Sequence, residues 1–135
     1  MNSDKISVRR SFIFTPGLNP DMFPKAIASG ADMVCIELED GIAIKDKDEA
    51  RKNTIEALKT LEVKSGVELV VRVNCQRTKF GLLDLEAFIS SKLKIKAIML
   101  PKVKTPVNAK VEGLKKYRAL DILDFLSVKY KHSLQ

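Results

Sequence analysis

The sequence predicts an α/β protein assembled from repeated β-α units. Three observations lead there. Short apolar or alternating runs recur at residues 11–14, 33–36, 68–73 and 97–100, the first three are each followed by apolar residues at helical spacing, and every run ends on its carboxyl side in polar or charged groups. Strands that alternate with helices favour a parallel sheet with helical cover over two segregated layers. No linker or low-complexity segment divides the chain, and its repetition goes no further than the β-α unit.

The elements follow in order. Ser11-Phe12-Ile13-Phe14 reads as a strand stopped by Thr15-Pro16-Gly17. Asn19 is placed to cap a helix with Pro20 and Asp21 in its first turn, Phe23, Ala26 and Ile27 along its apolar stripe, and Gly30 as its stop. The second strand, Met33-Val34-Cys35-Ile36, runs into Glu37-Leu38-Glu39-Asp40-Gly41. Strand geometry sets Glu37 and Glu39 on one face and Ile36 and Leu38 on the other. A parallel sheet covered on both sides turns those acids into protein, where an ionised carboxylate needs a cation, a metal or several donors. Ala50, Thr54, Ala57, Leu58 and Leu61 then mark a second helix. Residues 68–73, Glu-Leu-Val-Val-Arg-Val, make the third strand, followed by a loop through Gln76, Lys79 and Gly81 and a helix striped by Leu85, Phe88 and Ile89. Ala97-Ile98-Met99-Leu100 is the fourth strand, broken by Pro101.

Composition narrows the function classes. The 135 residues, 45% hydrophobic and 30% charged, suit one soluble globular domain. No apolar stretch approaches the ~20 residues of a membrane span and the amino end lacks the apolar core of an export signal, so a cytoplasmic protein is expected. Cys35 and Cys75 have neither metal-ligand spacing nor a disulfide framework, and reduced thiols are expected. Lys and Arg total 24 against 17 Asp and Glu, a formal charge of +7. The excess lies mainly beyond residue 90 (Lys92, Lys94, Lys96, Lys102, Lys104, Lys110, Lys115, Lys116), without interleaved aromatics or a DNA-reading motif. That distribution speaks against nucleic acid and leaves a solvated lysine surface or a polyphosphate-bearing ligand.

Each strand ends in groups able to bind or react: Thr15 and Gly17; Glu37, Glu39 and Asp40; Arg72 and Asn74; Lys102. Loops at the carboxyl ends of parallel strands converge on one rim, in a β/α barrel and in a doubly wound sheet alike, and that rim is where such folds place a site. Read from the residues, Arg72 is either a ligand anchor or a structural ion-pair partner of Glu39, Asp40 before Gly41 either lines a site or forms a turn, and Lys102 either meets a ligand or is solvated.

Arg9-Arg10-Ser11 with Phe14-Thr15-Pro16-Gly17, Lys25-Ala26, Gly30-Ala31-Asp32, Leu38-Glu39-Asp40, Ala50-Arg51, Val71-Arg72-Val73-Asn74, Asp84-Leu85 and Met99-Leu100-Pro101-Lys102-Val103 together resemble the citrate lyase β-subunit and malyl-CoA or citramalyl-CoA lyase group of the HpcH/HpaI aldolases. The motifs run from Arg9 to Val103 and correspond to the front half of that family's chain. The resemblance implies a TIM barrel that uses magnesium and makes or breaks a carbon–carbon bond between an acyl-CoA and a 2-oxo acid. The metal would act as Lewis acid on the oxo acid. It further implies Arg72 as the anchor of the anionic oxo acid, with Glu39 and Asp40 beside it as the acids of the catalytic rim, and Asn74 and Lys102 among the substrate contacts. Lys25 and the segment containing Phe14 and Pro16 fall where family members contact CoA, although a lone helical Lys is also readily solvated. Glu37 departs from the pattern: it stands where many members have Asp, and no role is carried onto it.

A complete barrel takes about 250 residues and eight strands, and this chain has room for about four β/α units. In the family the metal is held by a Glu and then an Asp after two later strands, and neither motif occurs here. Past Val103 the similarity gives way to a divergent tail, residues 104–135, with helical patterns at Val107, Val111 and Leu114 and at Ile122, Leu123, Phe125 and Leu126. Glu112, Asp121 and Asp124 take no metal role there, and His132 is assigned none. The expectation is a half-barrel, either inactive alone or closed by a second copy or a complementing second half. The alternative is a non-catalytic remnant or regulatory module that binds CoA or a 2-oxo acid. An uncovered parallel edge would promote association.

Overall fold

The computed structural model describes residues 8–93 and 95–103. The two helical patterns expected beyond Lys104, with Glu112, Asp121, Asp124 and His132, lie outside them. Four parallel strands, β1 (Phe12–Pro16), β2 (Met33–Glu37), β3 (Glu68–Arg72) and β4 (Ala97–Met99), are ordered β1-β2-β3-β4 in one sheet. Between them run α1 (Phe23–Ile27), α2 (Lys47–Leu58) and α3 (Lys79–Ser91). Among the described residues no helix is long and apolar enough to cross a membrane.

Alternation sorts each strand onto two faces. Val34, Ile36 and Leu38, then Leu69, Val71 and Val73, then Ile98 and Leu100 pack with Phe23, Ala26 and Ile27 of α1, Ala50 of α2, and Leu85 and Phe88 of α3. Phe23 and Phe88 are almost wholly enclosed and are the largest side chains of this core. On the other face Cys35, Val70 and Ala97 form a smaller cluster with Met33 and Met99, built from strand residues alone. The described helices therefore cover one face, not both. Glu37 and Arg72 are on the second face, in a register row that reads Pro16, Glu37, Arg72, Met99 across the carboxyl ends of the strands.

The family-like motifs at the amino ends act as fasteners. Asp32 accepts the Arg10 backbone N–H at 2.8 Å while its own N–H donates to Ser11 Oγ at 3.0 Å, which locks the starts of β1 and β2 together. The Arg10 guanidinium holds the Asp32 carboxyl below its usual range by a hydrogen bond.

Several boundaries differ from those expected. β1 continues through Thr15 and Pro16, because β1 is an edge strand of the described sheet and the N–H that bonds β2 at this end is that of Gly17. Asn19 precedes a 3-10 turn, Pro20–Met22, and its side chain makes no capping bond. The helix proper follows as α1 and stops before Gly30, whose φ is 91°. Another 3-10 turn, Ile44–Asp46, leads into α2, which ends at Leu58 and leaves Leu61 outside. Lys79 and Gly81 belong to the first turn of α3, not to a loop, because Thr78 caps that helix by accepting the Gly81 N–H at 3.2 Å. A Cβ on Gly81 would sit 2.1 Å from the Cys75 carbonyl oxygen, so only glycine lets α3 start this close to β3.

Gly17 obeys the same constraint at the end of β1. Its N–H donates to the Glu37 carbonyl at 2.9 Å and its carbonyl accepts from Thr54 Oγ1 at 3.2 Å, joining β1, β2 and α2 at one point. A Cβ there would lie 2.5 Å from Leu38 Cδ2 and 2.7 Å from Thr54 Oγ1. Gly17→Ala is expected to cost about 1–3 kcal/mol through overpacking, seen as a lower urea midpoint at unchanged m-value. A midpoint equal to the parent protein's would contradict this packing.

Candidate functional site

The rim is built around Arg72. Its Nε donates to Glu37 Oε1 at 3.0 Å and its Nη2 to Glu37 Oε2, a bidentate pair between adjacent strands. The same carboxylate accepts the backbone N–H of Glu39 at 2.8 Å and that of Gly41 at 3.4 Å. Glu37 thus clamps the turn after β2 and neutralises Arg72 at once. That pairing raises the guanidinium above its ordinary value, so Arg72 is charged throughout the accessible pH range. Its Cζ lies 4.6 Å above the Phe14 ring, and Phe12 meets Phe14 edge-on with centroids 5.0 Å apart. The cation is gripped by a carboxylate and an aromatic face.

Glu39 is the second buried acid. Lys102 Nζ donates to its Oε2 and also reaches Asp40 Oδ1 at 3.1 Å, while Arg72 Nε lies 3.7 Å from Glu39 Oε1. Asp40 and Lys102 are themselves half-exposed or more, and their mutual bond contributes little to stability. Glu39 is nearly enclosed, and Lys102 supplies most of its compensation. Three carboxylates and two cations therefore alternate along the rim.

A second network lies behind it. Lys47 of α2 donates to the carbonyls of Leu38 at 3.2 Å and Glu39 at 2.8 Å. One turn on, Arg51 bonds Asp48 Oδ1 and sets its Nε 3.4 Å from Oδ1 of Asp84 on α3. Asp84 Oδ2 accepts both the Asn74 backbone N–H at 2.8 Å and the Asn74 Nδ2 at 2.7 Å. Burial pushes the Asp84 carboxyl up, opposed by the Asn74 donors and by the charges of Arg51 and Lys47, and burial pulls the Lys47 ammonium down.

Of the residues singled out from sequence, Arg72, Glu39, Asp40, Lys102 and Phe14 come together, with Pro16 in the same register row as Glu37 and Arg72. Asn74 instead bonds Asp84 beneath the rim, and Lys25 is exposed on α1 and makes none of these bonds. The hydrogen-bonded partner of Arg72 is Glu37, not Glu39. Glu37 and Arg72 are direct neighbours in the parallel register, whereas Glu39 lies past the end of β2. The resemblance carried no role onto Glu37, although its strand alternation with Glu39 set it among the acids that need a cation; Lys47 was not singled out, and its i,i+4 spacing from Arg51, which puts both on one helix face, is the signal that could have found it.

Magnesium fits these residues poorly. Among the described residues no three His, Cys, Asp or Glu side chains converge as a metal site, and the oxygens of Glu37 and Glu39 are taken by Arg72, two backbone N–H groups and Lys102.

Parallel β/α units that gather cations and carboxylates at the carboxyl rim of the sheet define an α/β protein of the β/α-barrel type. The chain belongs to the HpcH/HpaI aldolase/citrate lyase family, which it matches over residues 10–118. It is 42% identical over 105 residues to the citrate lyase subunit beta of Leuconostoc mesenteroides subsp. cremoris, covering 78% of this chain and 33% of that one. It is 40% identical over 95 residues to the L-malyl-CoA/beta-methylmalyl-CoA lyase of Cereibacter sphaeroides, covering 70% and 30%. Among solved structures, the citrate lyase beta subunit of M. tuberculosis complexed with oxaloacetate and magnesium superimposes with a TM-score of 0.61 at 31% identity, covering 75% of this chain and 43% of that one. The alignments thus span about a third of the length of these curated relatives.

Cys35 lies two register rows below this rim on the same sheet face, wholly buried, and desolvation followed by the Glu37 charge pushes its thiol up to about 12. It is therefore a neutral thiol at pH 8, and a thiol-specific reagent is expected to leave it unmodified in the native protein and label it only after unfolding. Native labelling of Cys35 at the rate of a free thiol would contradict its enclosure.

Proposed function

We propose that this chain carries the amino-terminal part of an acyl-CoA carbon–carbon lyase site, with Arg72 as the anchor of a 2-oxo acid. The observation that carries the reading is the presentation of Arg72. A guanidinium has five N–H donors, and the paired bonds to Glu37 engage two of them. The side chain is about a quarter exposed at the carboxyl rim, so its remaining donors are available to an anion. Glu37 and Phe14 hold the plane of the fork in advance, which lowers the ordering cost of binding.

In the cleavage direction a β-hydroxyacyl-CoA loses its hydroxyl proton, the bond between its α and β carbons breaks, and the electron pair stays on the acyl-CoA carbon as an enolate that is then protonated. The hydroxyl carbon becomes the carbonyl of the 2-oxo acid. Arg72 serves by binding the carboxylate next to that carbon. Glu39 and Asp40 are the rim acids, and Lys102 holds them and adds positive charge toward the substrate. Phe14, Pro16 and Lys25 provide the surface toward CoA, and Asn74 borders the oxo-acid end. Magnesium belongs to the complete site in this reading, and no step is assigned to it here because the described residues do not form its ligand set. Turnover of an acyl-CoA in this reading requires the remaining barrel units, whichever chain carries them, and the residues described here supply the oxo-acid anchor. Cytoplasmic residence accords with the two free thiols, Cys35 and Cys75.

One observation favours a second reading, a ligand-binding module without catalysis: Glu37 and Glu39 are already paired, and no metal set forms among the described residues. Titration calorimetry with oxaloacetate, alongside Mg2+-supplemented cleavage assays with citryl-CoA, malyl-CoA and citramalyl-CoA, separates the two. Oxaloacetate is expected to bind, and Arg72→Ala to weaken binding by at least about 2 kcal/mol, roughly thirty-fold. Unchanged binding in Arg72→Ala removes the anchor. Binding that persists without cleavage after the rest of the barrel is supplied in trans selects the non-catalytic module.

A further inference from the structure

Lys47, Arg51 and Asp84, the charged members of the polar network behind the rim, have no part in the proposed binding, yet with Asn74 they are among the most completely buried polar groups in the fold. Lys47, Arg51, Asn74 and Asp84 are exposed by 9%, 8%, 4% and 0%. Burying charge is costly, and an apolar pair of similar volume would usually serve stability as well or better. What this network does is geometric. Lys47 ties α2 to the carbonyls of Leu38 and Glu39, the backbone that carries the first rim acid. Arg51, one turn further along the same helix, faces Asp84 on α3, and Asp84 holds Asn74, two residues past Arg72, by both its backbone and side-chain nitrogens. The strand ends of β2 and β3 are thereby fixed to one another through α2 and α3, from the side opposite the ligand.

The inner side shows why that matters. The Glu37 carboxylate must reach the Arg72 fork and the N–H groups of Glu39 and Gly41 at the same time, four bonds from two oxygens. Such a set closes only if the turn after β2 and the end of β3 stay in fixed relation. A shift of either by a fraction of an ångström breaks the bidentate geometry.

We infer that Arg51 and Asp84 are positioning residues, which, through Asn74 on one strand end and alongside Lys47 on the other, hold Arg72 and Glu39 in register for an anionic ligand. This deepens the anchor role proposed above and rests on it for the ligand, while the geometric role stands on the network alone. Neither residue touches the ligand. Asp84→Asn keeps the shape of the side chain and one acceptor for Asn74 but removes the charge opposite Arg51. Because it strands a buried cation and can compromise folding, it is paired with Arg51→Gln/Asp84→Asn, which removes both charges together.

The test is nuclear magnetic resonance of the full chain, following the Arg72 Nε–H signal and the hydrogen exchange of the Glu39 amide, with urea unfolding and oxaloacetate titration of the same samples. In the parent protein the Arg72 Nε–H is expected to be resolved and slowly exchanging because it is bonded to Glu37. In whichever variant is folded, that signal is expected to shift, the Glu39 amide to exchange about ten-fold faster, and oxaloacetate affinity to fall about ten-fold, the scale of losing an outer support of a binding group. A variant that is folded, less stable, and unchanged in the Arg72 signal and Glu39 exchange would overturn the inference and leave the pair a purely structural ion bridge. Should the parent protein bind no oxaloacetate, the anchor reading fails, and the two exchange readouts still decide the positioning role.

Discussion

The rim depends on one constraint: two carboxylates, Glu37 and Glu39, are taken almost completely out of water at the end of a β-strand. Ions of this size cannot remain charged there without close compensation, and the cost of leaving one uncompensated is several kcal/mol. The parallel register answers the first by setting Arg72 directly beside Glu37, and the turn after β4 answers the second by bringing Lys102 to Glu39. Lys102 takes a left-handed backbone conformation, φ 54°, to do so, a conformation of modest cost for a non-glycine residue. Every other feature of the rim follows from these two pairings, including the clamp on the Gly41 turn and the stacking of Arg72 on Phe14.

The glycines and helix polar groups serve the same end. Gly17 and Gly81 are where backbone meets backbone or side chain too closely for a Cβ, one at the end of β1 and the other just after β3. Both lie next to the rim, and both pull the supporting helices against the strand ends. The apolar core on the helix-covered side supplies the stability that makes buried charge tolerable, and the polar network supplies the registration that apolar contacts, being non-directional, do not. The rim is in this sense rigidly built: its two cations are held in place and its two buried acids are already paired.

Strands and helices were legible because alternation and helical spacing are local properties of the chain. The four strands fall where the runs at residues 11–14, 33–36, 68–73 and 97–100 placed them, and the gathering of Arg72, Glu39, Asp40 and Lys102 followed from the rule that parallel strand ends converge. The boundaries at Pro16 and Lys79 were not legible. Pro16 is admissible in β1 because that strand is an edge of the described sheet and Gly17 makes the bond to β2, and Lys79 is helical because the Thr78 hydroxyl caps its turn. The partner of Arg72 was hidden for a similar reason. Glu37 and Glu39 share a strand face in sequence, and Arg72 lies within ion-pair distance of both; only the register and the end of β2 at Glu37 decide that Glu37 takes the hydrogen bonds. Asp84 was visible as part of a motif, but its bond to Asn74 depends on the packing of α3 against β3, which no local pattern encodes.

The central claim is that the Glu37–Arg72 pair organises the rim. A double-mutant cycle on stability, with Glu37→Gln, Arg72→Gln and the combined variant measured by urea unfolding, tests it most directly. The account predicts a coupling energy of about 2 kcal/mol, the upper part of the range for residues in one hydrogen-bonded charge network. Single substitutions whose effects add within about 0.5 kcal/mol would contradict it, because they would show that the two side chains meet without depending on each other.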